Sequence, residues 1–401
     1  SMLVAAIGIG AIMVARVHLR TAGNADDREQ ARILAQSGLD LARLWVSTDP
    51  SWRTTRSQGA WGGATVLGSG SFTISATDPV DGNFANSPLD PLRINALGYR
   101  GGARQKLQLT LVPVPVAYSC LGAAMFSAGT LSVSTGIVST TGLIATNGNV
   151  VLASGATIDA NAEAVGTMSG ANYLGSKNSG VAARTLPDAT AFDYYVANGT
   201  AISFAATGGD LTGVLLSPAN NPFGATDPNG IYVIDCAGGT MRIKSCRVVG
   251  TLVILNCKSD SVVDLQVNLA PAVANYPALM VKGSIAFLYT TAALAETTGR
   301  NFNPAGTPFG GMSNATTTDT YPSIINGLVY VSENLTMKNS NNVGGPLIVG
   351  GTLVSDNAVN VTWDATCLNN PPPGFFSAAP MKVQGGSCKQ VLVTEGDLTL
   401  P

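Results

Sequence analysis

Residues 1–15 carry no charged side chain (SMLVAAIGIGAIMVA), and the chain turns polar at Arg16 while keeping a helical spacing to about Trp45. Past the acidic run Asp26, Asp27, Glu29, apolar residues return at Ile33, Leu34, Leu41, Leu44 and Trp45, offsets that follow a helical period. Thr48-Asp49-Pro50-Ser51 then stops the pattern, because it joins turn formers to a proline that disfavours helix at the residue before it. One helix over residues 1–48 is predicted, with Ile33, Leu41 and Leu44 as the positions a sheet has to cover. Its uncharged part rises only about 22 Å, short of the roughly 20 residues of a lone membrane span, so it reads as a short anchor or a packing stave. A secretory signal needs a basic start and a small-residue cleavage site ahead of a polar break, and the pattern has neither.

After residue 49 the period changes to two. Thr65–Leu67, Ser71–Ala76, Leu92–Leu97 and Lys106–Val112 (KLQLTLV) are short alternating or β-branched runs, and Tyr99-Arg100-Gly101-Gly102-Ala103 supplies a tight turn between the last two. Residues 49–118 are therefore predicted to form a small antiparallel β-meander, closed by a stiff linker at Pro113 and Pro115. From about Cys120 the runs shorten to a few residues between Gly or Asn: Leu131–Val133, Ile137–Ser139, Leu143–Ala145, Val150–Leu152 and Thr157–Asp159, and later Leu328–Val331, Leu335–Met337, Leu347–Val349, Leu353–Val354 and Val359–Thr362. Such spacings without intervening helices predict a parallel β-helix whose interior fills with Val, Ile and Leu. The sharpest repeat is IYVIDC, MRIKSC and LVILNC, ending at Cys236, Cys246 and Cys257. A rung of about 21 residues stacks Cys236 and Cys257 on one face. An antiparallel β-sandwich is the competing arrangement. Asn-Pro, Asp-Pro and Thr-rich stretches near 168–230 and 290–322 read as loops leaving the coil, either a display surface or tolerated insertions. The expected fold class is α+β, mostly β: helix 1–48, meander 49–118 and a β-helix-like domain over 119–401.

Length and composition fit that division. A chain of 401 residues, 45% apolar and with 46 glycines, is long enough for two or more cores. Only 11% of residues are charged, and residues 1–106 hold 11 basic and 8 acidic side chains against 11 and 16 in the remainder, so no basic stripe for nucleic acid exists. Low charge with abundant Gly, Ser, Thr and Asn suits an extracellular β-rich protein, where six cysteines favour disulfides. Cys367 and Cys388 flank a proline-rich loop and are expected to pair. Cys120 is then left to pair with one of Cys236, Cys246 and Cys257, and the remaining two with each other; fifteen connectivities stay open. Zinc requires close paired ligands and usually histidine, so no metal site and no cofactor is expected. Polysaccharide-cleaving β-helix enzymes need clustered carboxylates. The nearest pairs, Asp188 with Asp193 and Asp260 with Asp264, read as solvated loop charge, and the single histidine, His18, lies beside the hydrophobic helix, which leaves no Ser-His or Cys-His nucleophile. A non-enzyme is expected. Gly344-Gly345 and Gly350-Gly351 read as rung turns, since no Lys-Ser/Thr follows them. Asn198, Asn314, Asn334 and Asn360 begin glycan acceptor sequons, which a chain so rich in Asn and Thr produces by chance.

The apolar start, the long helix, the segment REQARILAQSGLDLA at residues 28–42 and the hairpins after it together resemble a type IV pilin-like subunit over residues 1–118, in the manner of minor pilins and type II secretion pseudopilins. The resemblance implies a leader removed before Ser1, methylation of the Ser1 amine, and a filament core of bundled helices. Its assembly positions are then Ser1, Met2, Leu3, Val4, Ala5, Ile7, Ile9, Ile12, Met13 and Val14. The partners it implies are further copies in a helical filament or other pilin subunits, with the inner membrane as the anchor before assembly and the cell surface as the destination. Such subunits usually carry a glutamate at the fifth position that meets a neighbour's terminal amine. Here that position is Ala5, and no carboxylate precedes Asp26. A buried ammonium without its counter-charge is costly, and among pseudopilins this lack resembles a tip subunit. The expected function is a structural subunit of a pilus-like extracellular filament, displaying a β-rich domain for adhesion to a surface glycan or cell. The alternatives are a minor or tip pseudopilin that primes assembly and a membrane-anchored, carbohydrate-active β-helix enzyme.

Overall fold

The computed structural model describes residues 2–378, 380–394 and 397, with side chains from residue 7 onward except that of Ala378. The fold is α+β and mostly β, and the chain divides into two compact units: residues 1–115 together with 378–401, and residues 116–377.

The first unit is one helix, Met2–Thr48, with its C-terminal part laid on an antiparallel sheet. Strands Gly70–Thr77, Leu92–Arg100 and Ala103–Pro113 pair in sequence order, with Thr65–Leu67 beside the first of them. The two-residue Gly101-Gly102 turn closes the Arg100↔Ala103 pair, with Gly101 at φ 50°. The predicted meander is present, but the helix face differs from the expected one. Buried against the sheet are Ala31, Leu34, Ala35, Leu39, Ala42 and Val46, while Ile33 is 46% and Leu44 54% exposed and Leu41 is half-buried. The reason is steric. Small residues let two backbones touch: a Cβ on Gly98 of the sheet would run into the Ala31 carbonyl oxygen and lie 2.7 Å from the Ala35 nitrogen, and one on Gly38 would lie 2.9 Å from the Ala96 Cβ. Branched side chains at the contact would hold the helix away. A second departure concerns the C-terminus, which the sequence assigned to the coil. Strands Met381–Val383 and Lys389–Val391 pair antiparallel with Ala103–Pro113, extending the meander's sheet. Lys106 and Asp397 form an ion pair of 2.9 Å at this edge.

The second unit is the expected parallel β-helix, not the sandwich. Strands Met125–Ser127, Leu131–Val133 and Ile137–Thr140 make one turn of coil, and Ile144–Thr146, Val150–Leu152 and Thr157–Asp159 stack on them in parallel, residue on residue. Apolar positions alternate inward, so Leu131, Val133, Val138, Ile144, Val150, Leu152 and Ile158 share one core. The stacking order does not follow the sequence. The strand Met125–Ser127 has Ile144–Thr146 on one side and Leu347–Val349 on the other, so the first turn of the coil sits against the last, 222 positions away (347 − 125). The ten-stranded sheet runs from Lys177–Ser179 at one end through this junction to Thr200–Ala201 at the other.

Residues 180–199 connect the two ends. The region 168–230, expected to be a loop insertion, therefore holds a terminal strand, this crossing and the first turn of the other end. The crossing covers the outward face of the ten-stranded sheet: Phe192 packs on Tyr330 with centroids 5.5 Å apart, Tyr195 on Tyr276 at 5.6 Å, and the Tyr330 hydroxyl donates to the Pro187 carbonyl. Both faces of a parallel sheet require such cover. Near 290–322 the expected excursion is present, with Leu294–Ala295 paired antiparallel to Thr320–Tyr321. Arg247 fastens it. Its guanidinium donates to the carbonyls of Phe302, Thr307 and Pro308 and lies 5.2 Å from the Phe309 ring and 5.5 Å from that of Tyr321.

The cysteine expectations are corrected. All six are free. Cys367 is a buried residue of the coil, whereas Cys388 is exposed in the first unit. The repeat that carries the other three has a rung of 20 residues, since Ile231 stacks on Thr251 (251 − 231). This places Asn256, at φ 50°, beside Cys236 and moves Cys257 one step past it. Cys246 lies within the strand Arg242–Val249 and faces the core.

Candidate assembly helix and acidic loop

A helix of 47 residues extends about 70 Å. Among the described side chains, its first part is bare. Every side chain from residue 7 to residue 26 is exposed, with Ile7 at 65% and Leu19 at 73%, and Ile9, Ile12, Met13, Val14 and Val17 all more than half open. Of the assembly positions expected from the sequence, Ile7, Ile9, Ile12, Met13 and Val14 are thus bare apolar side chains. Ser1 lies outside the described residues, as do the side chains of Met2, Leu3, Val4 and Ala5. No helix among the described residues is long and apolar enough to cross a membrane.

The charged middle of the helix is locally paired. Arg32 grips Glu29 through Nε and Nη2 at 2.9 and 2.5 Å, which lowers the Glu29 carboxyl below its ordinary range. Arg100 of the sheet lies 3.6 Å from Asp27, close to where the buried face begins at Ala31.

In the same unit the loop from residue 78 to residue 91 joins strands Gly70–Thr77 and Leu92–Arg100 and brings three acids together. One carboxylate oxygen from each of Asp78, Asp81 and Asp90 lies within 4.8 Å of the others. Burial, followed by the nearby charges of Asp78 and Asp81, pushes the Asp90 carboxyl above its ordinary range. Phe84 of this loop closes an aromatic cluster with Trp52 at 5.6 Å and Trp61 at 6.2 Å. The sequence reading did not single this group out, because Asp90 lies nine positions beyond Asp81 and only the folded loop unites them.

Elsewhere the acids weighed for catalysis serve local structure. Asp188 accepts from the Thr190 nitrogen and hydroxyl at the start of the short helix Ala189–Phe192. Asp260 accepts from Thr240, and Asp264 pairs with Arg242 at 3.3 Å. Cys120, Cys236, Cys246 and Cys367 are buried thiols, each pushed up to about 12 by burial. Thiols in that range stay protonated near neutral pH, which disfavours both nucleophilic and metal-binding roles. On the coil, a shallow groove of about 430 Å³ is lined by Asp210, Thr212, Asn220, Phe223, Arg300 and Asn301. On the same sheet, Val151, Ser132, Val354, Thr336, Ala286 and Val262 follow one another across six stacked strands, each at the outward position between inward neighbours. These six positions carry no charge, and the row continues through Arg242 to Asp210 of the groove. Of the sequon residues, Asn334 is part of the coil itself, since its amide oxygen accepts from the Thr352 nitrogen of the next turn.

No family model matches the chain, and no curated protein matches it. Among solved structures, the competence-associated pilin ComZ from Thermus thermophilus is similar at 11% identity, with 92% of this chain and 98% of that one covered and a TM-score of 0.28. A DUF3494 domain of ice-binding protein 1 from Shewanella frigidimarina is similar at 12% identity over 62% of this chain and 98% of that one, with a TM-score of 0.29. An ice-binding protein from an Antarctic biological consortium is similar at 14% identity over 62% and 91%, with a TM-score of 0.26. These superpositions are too loose to bear an argument, and the functional reading rests on the residues of this chain.

Proposed function

We propose that this chain is a structural subunit of a type IV pilus-like extracellular filament, which polymerises through residues 2–30 of its helix and presents the β-helix outward. The supporting observation is the bare apolar stretch. Burying seven large side chains (Ile7, Ile9, Ile12, Met13, Val14, Val17 and Leu19) is worth about 10–20 kcal/mol per subunit at roughly 1.5–3 kcal/mol each. Neighbouring helices of the same kind are the natural partners, since apolar side chains repeating at helical spacing interlock with copies of themselves. The outward row from Val151 to Val262 and the groove beside Arg300 are the surfaces presented for adhesion. We read the coil as non-catalytic, given the local structural partners of its acids.

Ala5 favours a second reading, a minor or tip subunit: between Ser1 and Ala25 no carboxylate is present to offer a neighbouring helix a counter-charge. Immunogold labelling of filaments with antibody to the β-helix separates the two. Labelling along the shaft supports the main-subunit reading, label at one end supports the cap, and a chain absent from every filament defeats both.

A further inference from the structure

The loop from residue 78 to residue 91 holds a buried carboxylate with one oxygen left without a hydrogen-bond partner among the described residues. Asp78 is 6% exposed; its Oδ1 accepts from the Val80 nitrogen at 2.7 Å, and its Oδ2 is buried with no hydrogen-bond partner among the described residues. A buried carboxylate oxygen left unmatched is costly. Asp81 and Asp90 crowd the same space, and none of the three carboxylates forms an ion pair with a described residue. The nearest cation is already engaged. Arg53 donates to the carbonyl oxygens of Phe84 at 3.4 Å and Asp90 at 2.5 Å, with its guanidinium 4.5 Å from the Trp52 ring. Three carboxylates and one guanidinium leave two negative charges, which one divalent cation cancels.

We propose that Asp78, Asp81 and Asp90 bind a calcium ion. The donor set is all carboxylate oxygen, which suits a hard cation. Coordination decides between the two common ones: Ca²⁺ takes about six to eight oxygens in flexible geometry, whereas Mg²⁺ demands a near-ideal octahedron and keeps most of its waters, so three carboxylates converging from one irregular loop suit the first. The three oxygens lie within 4.8 Å of one another, close enough to share one ion. Exposed Asp81 gives the ion its way in from solvent, and the remaining positions fall to water and backbone carbonyls. The ion would tie the loop that seats Phe84 on Trp52 and Trp61 to the start of the strand Leu92–Arg100, so calcium outside the cell would complete the first unit.

The test uses the full chain after chelation. Calcium titration followed by calorimetry, and terbium luminescence excited through the tryptophans, should both give saturable binding at one site with a Kd of about 0.1–1 mM, the range of extracellular modules. Thermal unfolding should shift up by about 3 °C in a few millimolar calcium. Asp81→Asn, at an exposed position, should lose binding and the shift while keeping the native circular dichroism. Asp78→Asn should lose binding yet be at least as stable as the chelated wild type, because it removes an unmatched buried charge. The proposal falls if the wild type shows no saturable calcium binding up to about 10 mM, if binding survives both substitutions, or if magnesium binds equally well.

Discussion

At Gly98 the sheet meets the helix backbone with no room for a methyl group. Gly98→Ala should therefore push the helix off its seat and cost about 2 kcal/mol, the usual price of overpacking; chemical denaturation followed at the tryptophans checks this, and an unchanged midpoint would mean that the helix is free to slide. The helix itself was legible from its period and its Asp49-Pro50 stop. Which face it buries was not, because a hydropathy pattern favours Ile33, Leu41 and Leu44 while the packing selects Ala31, Ala35 and Ala42 for their size. A second residue-scale prediction concerns the C-terminal edge. Burial pulls the Asp397 carboxyl up, but hydrogen bonds from Lys106 and Thr394 outweigh it, so the folded carboxyl lies below the ordinary 3.8. The sign follows from linkage: the stability that this group contributes is present above the unfolded value and is lost as pH falls through the lower folded one. Asp397→Asn should thus destabilise the chain by about 1 kcal/mol at pH 7, with the difference shrinking as pH falls below 3.8, as read from thermal unfolding at neutral and acid pH.

Among the elements, the junction between Met125–Ser127 and Leu347–Val349 deserves the closest test, since it alone joins the two halves of the ten-stranded sheet. Ile348 stacks on Phe126 there and is buried on the outward side beneath the crossing segment. Ile348→Asp should place an unpaired charge in that layer and cost about 3–5 kcal/mol. Limited proteolysis near residues 180–199 should accelerate in the variant; wild-type protection would show that the junction does not hold the crossing in place. The strands named in advance lie almost to the residue where they were expected, because each turn of coil repeats the same inward-outward alternation, although Met125–Ser127, Val262–Ala270 and Pro277–Lys282 were not among them. Their order in space could not. Parallel stacking of similar short strands is satisfied by many neighbours, and no local signal in the sequence marks Met125–Ser127 as the partner of a strand 222 positions later. The same holds for Met381–Val383 and Lys389–Val391, whose pairing with Ala103–Pro113 is also long-range. The acidic loop was hidden for a related reason: three aspartates spread over 13 positions become a site only once the loop folds (90 − 78 + 1).

For the whole molecule, the proposed filament gives assembly to the bare apolar helix end and presentation to the self-contained coil. Among the described residues, the helix side chains from 7 to 26 lie open, and the coil keeps its apolar positions inward and closes its sheet with the crossing segment. On the proposed function, assembly is what shields the apolar start of the helix from water, and the cost of exposing it should fall on every isolated copy. The direct measurement is sedimentation velocity on the full chain beside a chain lacking residues 1–25, with electron microscopy of the same samples. The account predicts that the full chain sediments as large assemblies, visible as filaments with a core of packed helices, and that the shortened chain sediments as a single folded copy with its β-structure intact. A full chain that stays a single copy, or a shortened chain that still forms filaments, would contradict it.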